Sequence, residues 1–189
     1  TIRWRTEPFK TPRYDLDRVF DVAFDPSGTR LAAAYQSMDY PLLDLATGAT
    51  LANVRAPTLG RIAFGKEGRE LVGTGKWVNA VTLFQIEGGG TAFSMRNVPF
   101  TESFLHFHVN ALTSLAYSRE SNRFVTGSLD RTARVWDSER RECFAAYEGH
   151  QDAVWDVDVS PDDTRIVTAS ADKTVRLWPS DLLAEARRF

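Results

Sequence analysis

The sequence predicts an all-β protein of four repeated units, each built from short antiparallel strands, and three observations predict it. A nine-residue phrase occurs twice, as SLDRTARVW at 128–136 and SADKTVRLW at 170–178, forty-two residues apart. An alternating apolar run that ends in turn residues recurs four times, anchored at Phe24, Phe64, Tyr117 and Val159 with spacings of 40, 53 and 42. Strand patterns dominate the whole chain, and only residues 181–188 carry a helical apolar stripe.

The units follow in order. Unit one (15–54) opens on Val22-Ala23-Phe24 running into Asp25-Pro26-Ser27-Gly28, a strand entering a tight turn. A second run follows at Arg30–Tyr35, a third ends at Leu43, and a fourth lies at 50–54. Unit two (55–98) repeats this with Ile62-Ala63-Phe64, Glu70–Thr74, a run ending at Phe84, and 91–98; Gly88-Gly89-Gly90 reads as its hairpin loop. Unit three (108–148) has Leu115-Ala116-Tyr117, Arg123–Ser128, a run ending at Trp136, and Glu142–Tyr147. Unit four (149–179) has Val157-Asp158-Val159, Arg165–Ser170 and a run ending at Trp178, then Pro179 in place of a fourth strand. Between units two and three, residues 99–107 form an insertion with Phe100, Phe104, Leu105 and Phe107, expected to pack back over the protein. Residues 180–189 are expected to form a short helix capped by Ser180, with Leu182, Ala186 and Phe189 on one side. Residues 1–14 read as strands of an adjacent unit, or as a strand that closes a ring by pairing with unit four.

Units three and four share a sharper pattern. Ser128 and Ser170 each lie 20 residues after a histidine (His108, His150), Asp130 and Asp172 lie 22 after, and Trp136 and Trp178 lie 28 after. A buried imidazole needs both nitrogens satisfied; Asp and Ser are able to do so, with the Trp N–H completing the series. With Gly149-His150, Ser160-Pro161 and Trp136-Asp137, the chain resembles the WD-repeat (WD40) β-propeller family over nearly its whole length. The resemblance implies a propeller of four-stranded blades, here the C-terminal part of a larger propeller from a bacterial multidomain protein. It also implies that His108, Ser128, Asp130, Trp136 and His150, Ser170, Asp172, Trp178 are hydrogen bonded in series to lock a blade. Units one and two lack the set: Asp15, Tyr35, Ser37 and Leu43, then Arg55, Gly75 and Trp77, align with it, so these blades are expected to rely on apolar packing alone.

Composition narrows the function. With 23 basic and 25 acidic residues in 189 and a net charge of −2, no field draws the chain to nucleic acid or anionic lipid. The one cysteine, Cys143, excludes an internal disulfide and suits the cytoplasm. No apolar run approaches the roughly 20 residues of a membrane helix. Ser, His and Asp together suggest a hydrolase, but the set occurs twice beside a Trp, and no G-x-S-x-G elbow exposes a serine. His106-x-His108 would suit a metal, but His108 is claimed by the network. Gly68–Gly73 has phosphate-loop spacing without the Gly-Lys-Ser/Thr that must follow. No catalytic residue, metal or cofactor is expected.

Binding remains. In the family the loop face exposes the residues three and five after the network histidine and the one before the turn aspartate. These are Ala153, Trp155 and Ala171; Ala111, Thr113 and Leu129; by alignment Arg18, Phe20 and Gln36; and in unit two Thr58, Gly60 and Lys76. Trp155, Phe20, Arg18, Leu129 and Thr113 are the candidate partner contacts, since Trp, Phe and Arg are the types that dominate interface energies. The competing role for Phe20 and Trp155 is to fill the inner channel wall. The expected function is a non-catalytic protein-interaction or regulatory module, its partner another protein or domains of the same parent protein. The alternative is a set of structural blades completing a propeller attached to a kinase, caspase-like protease or NTPase domain.

Overall fold

The computed structural model of the protein describes residues 18–56, 60–75, 81–89, 92–98 and 108–180. Among these residues, fifteen strands form four separate antiparallel sheets in chain order. Blade one holds β1 (Val19–Phe24), β2 (Arg30–Tyr35), β3 (Asp39–Asp44) and β4 (Thr50–Arg55). Blade two holds β5 (Ile62–Phe64), β6 (Glu70–Thr74), β7 (Val81–Gly89) and β8 (Ala92–Val98). Blade three holds β9 (Leu112–Tyr117), β10 (Arg123–Ser128), β11 (Ala133–Asp137) and β12 (Glu142–Tyr147). Blade four holds β13 (Val154–Val159), β14 (Arg165–Ser170) and β15 (Val175–Pro179). Within each blade every strand pairs with the next, as expected of propeller blades built from hairpins. The second strand of every blade has the bounds read from the sequence, because each is an apolar run fenced by turn residues. The sequences 1–14, 99–107 and 181–189, with the closing strand, insertion and helix expected there, lie outside the described residues.

The blades stack face to face, and three apolar clusters fill the seams. Ala32, Ala34, Tyr40 and Leu42 of blade one meet Ile62, Phe64, Leu71 and Phe84 of blade two, with the Tyr40 and Phe84 ring centres 5.2 Å apart. Val72 and Leu83 of blade two meet Leu112, Phe124 and Trp136 of blade three. Val125 and Val135 of blade three meet Val154, Val157 and Ile166 of blade four. Strand alternation produces this directly, because every central strand has an apolar residue on both faces.

Two expectations need correction. Blades one and two do not rely on apolar packing alone. Asp25, with its side chain 1% exposed, accepts from Ser27 Oγ at 2.7 Å and from the backbone of Thr29 and Arg30 at 3.0 and 2.8 Å. The Arg30 guanidinium also reaches Asp25 at 3.1 Å and the Gly68 carbonyl of blade two at 2.8 Å. Burial alone would raise the Asp25 pKa, but the hydrogen bonds from Ser27 and Arg30 hold it below its ordinary value. The polar residues of a β-turn thus replace the histidine network as the lock of this blade. Gly88 and Gly89 are not a hairpin loop: β7 runs through them, pairing Gly88 with Phe93 and Gly89 with Ala92. Gly88 has φ of 114°, which a residue without a Cβ adopts freely.

Candidate functional site

The repeated histidines are buried at the entrance to the inner strands of blades three and four. His108 Nδ1 lies 2.8 Å from Asp130 Oδ2 and Nε2 lies 2.9 Å from Thr126 Oγ1, which accepts from Trp136 Nε1 at 2.7 Å. Blade four repeats this with His150 to Asp172 at 2.8 Å, His150 to Thr168 at 2.7 Å, and Trp178 to Thr168 at 3.0 Å. The donors order the series. An indole N–H only donates, so the threonine hydroxyl accepts it and gives its own proton to Nε2; Nδ1–H then donates to the carboxylate. That series requires a neutral imidazole. The same carboxylate accepts from the backbone of Val109 at 3.0 Å and from Thr132 Oγ1 at 2.7 Å, so it also fixes the turn.

The serines are not the link that the sequence assigned to them. Ser128 Oγ accepts from the Asp130 amide at 3.1 Å and donates to the Asn110 carbonyl at 3.1 Å. Ser170 does the same with Asp172 and the Asp152 carbonyl. The reason is reach. Thr126 and Thr168 lie two residues earlier on the same face of their strands, one step further into the sheet, where the ring nitrogen and the indole converge. The signal was present in the repeated spacing of Thr126 to Trp136 and Thr168 to Trp178, ten residues in both blades.

Burial lowers the His108 pKa below its ordinary 6.5, with Asp130 opposing in part. Asp130 is pulled well below the carboxylate range: burial would raise it, but the bonds from His108 and Thr132 prevail. Below pH 6.5 the unfolded chain therefore binds a proton that the folded imidazole resists. The stability is present above 6.5 and is lost as pH falls from there towards the depressed folded value. Urea midpoints should fall between pH 8 and pH 5, and His108→Gln should flatten part of that slope. An unchanged slope would contradict a neutral buried His108.

The candidate partner contacts are a separate set, and the structure gathers four of the five. Phe20, Thr113, Leu129 and Trp155 line one cleft of about 740 Å³ with Gly60, Arg61, Val109 and Leu112. Three of the four owe their position to the same device. β1 shifts register between Val19 and Asp21, β13 between Val154 and Asp156, and β9 pairs Leu112 with Ser128 but Ser114 with Gly127. Phe20, Thr113 and Trp155 are each the extra residue of a β-bulge, which re-aims a side chain. Plain strand alternation would not place them so. Val154 and Val157 are both buried although three residues apart, which the bulge at Trp155 makes possible.

Trp155 is 57% exposed and Val109 is 83% exposed, so the channel wall does not cover them. Thr113 is partly committed elsewhere, since its hydroxyl donates to the Val154 carbonyl of the next blade at 2.6 Å. Arg18 is exposed at the start of β1 but is not part of the cleft. The cation there is Arg61, 3.8 Å from Asp21. Sequence reasoning passed over Val109 and Arg61; the cue was that each borders a position already singled out, His108 and Gly60. Ala111 lines the cleft, whereas Ala153 is buried. Thr58 and Lys76 lie outside the described residues. Both ring nitrogens of His108 are engaged, so it offers no lone pair to a metal; His106 lies outside the described residues.

Comparison with known proteins agrees with the repeats. The WD domain, G-beta repeat model matches residues 101–137 and 141–179, so the chain carries WD40 repeats. The dynein assembly factor with WD repeat domains 1 of Xenopus laevis is 39% identical over 51 residues, 27% of this chain and 12% of that protein. The eukaryotic translation initiation factor 3 subunit I of Drosophila virilis is 38% identical over 55 residues, 29% of this chain and 17% of that protein. The chain thus spans well under a fifth of the length of these relatives. Among solved structures, the computationally designed Ika4 protein superposes with a TM-score of 0.69 at 22% identity, over 89% of this chain and 94% of that one. At that identity the likeness concerns the fold, an all-β propeller array. Among the described residues, no helix is long and apolar enough to cross a membrane.

Proposed function

We propose that the chain is a non-catalytic protein-interaction module whose working surface is the cleft between Phe20 and Trp155. The observation that carries this reading is the set of bulges. Each aims a first-strand residue of a different blade into one shared space, and a large aromatic from each end of the array stands there. The lining is mainly apolar, so the cleft suits an apolar side chain of a partner, with Arg61 at its edge for a polar anchor. Catalysis finds no support in the histidine sets. The hydroxyls at Nε2 of His108 and His150 belong to Thr126 and Thr168, both fully buried and bonded to indoles, out of reach of a substrate, while Thr132 and Thr174 beside Nδ1 give their protons to Asp130 and Asp172. The relatives are named for assembly and for translation initiation, which is compatible with binding. The half-buried Cys143, which is in no disulfide, suits a reducing compartment, and we propose the cytoplasm as the protein's location.

A peptide-library selection against the immobilised chain tests this. Peptides enriched on the wild type should bind Leu129→Asp at least about tenfold more weakly, roughly 1.4 kcal/mol, because the variant puts a charge on the apolar wall. Equal affinity of the selected peptides for both chains would place the binding surface elsewhere.

A further inference from the structure

The four blades are in register, so positions correspond. Val22 of β1, Ile62 of β5 and Val157 of β13 pair with Ala33, Gly73 and Thr168 respectively, each at the same place in its sheet. One residue earlier stand Asp21, Arg61 and Asp156; eight residues later stand Arg30, Glu70 and Arg165. The seam between blades one and two uses two of these as latches. Asp21 Oδ2 accepts from the Ile62 amide at 2.9 Å, and Arg30 Nη2 donates to the Gly68 carbonyl at 2.8 Å.

Blade four carries the same two latches, Asp156 and Arg165, on the face that points away from blade three. Both are exposed, and among the described residues neither reaches another blade. Between them lie Val175 and Leu177, at the positions of Tyr40 and Leu42. Tyr40 and Leu42 are fully buried in the first seam; Val175 and Leu177 are 70% and 58% exposed. The opposite end of the array is the complement. Val22 and Phe24 occupy the positions of Ile62 and Phe64, which are 5% and 7% exposed, yet they are 53% and 66% exposed. The acceptor turn is repeated as well: Gly28 and Gly68 stand at the same place with φ of 68° and 66°.

We propose that the outward face of blade four docks on the outward face of blade one of a second copy, head to tail. The seam repeats the one between blades one and two. Asp156 accepts from the Val22 amide of the second copy, Arg165 donates to its Gly28 carbonyl, and Val175 and Leu177 pack on its Val22 and Phe24. Such an interface is heterologous and joins two copies twice when the rotation closes. Two copies give an eight-bladed ring, inside the roughly four-to-eight range of propellers. Closure within one copy would bury these four apolar residues, and they are exposed. The inference stands apart from the cleft, whose side chains it does not use.

Sedimentation equilibrium of the full chain tests it. The 21.2 kDa chain should sediment with the mass of a dimer. Leu177→Asp and Phe24→Asp, each on a surface position of a different end, should each sediment as monomers with unchanged far-ultraviolet circular dichroism. Mixed in equal amounts they should regain a heterodimer, because the intact blade-four face of Phe24→Asp meets the intact blade-one face of Leu177→Asp. A wild type that stays monomeric, a variant that remains dimeric, or a mixture without heterodimer would overturn the proposal. An array joined through one kind of end only would show itself by the second of these.

Discussion

Thr126→Val is expected to destabilise the protein by about 2–4 kcal/mol in urea unfolding. Valine has the shape of threonine, so the variant opens no cavity and removes one hydroxyl only. That hydroxyl sits in a fully buried position between His108 Nε2 and Trp136 Nε1, and it serves both. Its loss leaves an acceptor and a donor buried without partners, each costing about 1–3 kcal/mol. Any relaxation that lets water in lowers the sum. Thr168→Val should cost less. Its indole partner Trp178 is only half-buried, at the end of the array, where water is close. Ser128→Ala should cost about 1 kcal/mol, since Ser128 bonds only backbone groups at the turn. If Ser128→Ala proved the costlier substitution, the hydrogen-bond series through Thr126 would be wrong.

That contrast shows where the sequence is legible. Period and turn chemistry place the second strands to the residue, because a strand fenced by Asp-Pro-Ser-Gly or Ser-Leu-Asp-Arg has nowhere to slip. The repeated His, Asp and Trp are equally visible, since a buried imidazole demands partners. Which hydroxyl completes the series is not visible. Thr126 and Ser128 lie on the same face of one strand, and only the depth of the indole in the sheet separates them. The polar lock of blade one escaped for a related reason: Asp25 and Arg30 read as ordinary turn and strand-edge residues until the turn folds the carboxylate under the guanidinium. The cleft was legible by residue but not by cause. Alternation alone cannot bury both Val154 and Val157, and a bulge leaves no signature in composition. Val109 and Arg61 were missed because their neighbours, not they, carry the repeat.

Trp155→Ala is the second large expected effect, and it falls on binding. The indole is more than half exposed, lines the cleft together with Phe20, and sits at the extra position of a β-bulge. Removing it therefore leaves the seam residues Val154 and Val157 in place, and the fold should lose little. A partner that covers it would bury on the order of 150–250 Å² of aromatic surface, enough for a hot spot. The loss on binding should be about 2 kcal/mol or more, roughly thirtyfold in affinity.

The proposed function requires that the bulge-aimed aromatics form a binding surface and not a channel lining. Melting temperature and affinity for a selected peptide, measured on one preparation of Trp155→Ala, test it most directly. A melting temperature close to that of the wild type, with affinity weakened at least about thirtyfold, is the predicted result. A large drop in melting temperature with unchanged affinity in the folded fraction would contradict it.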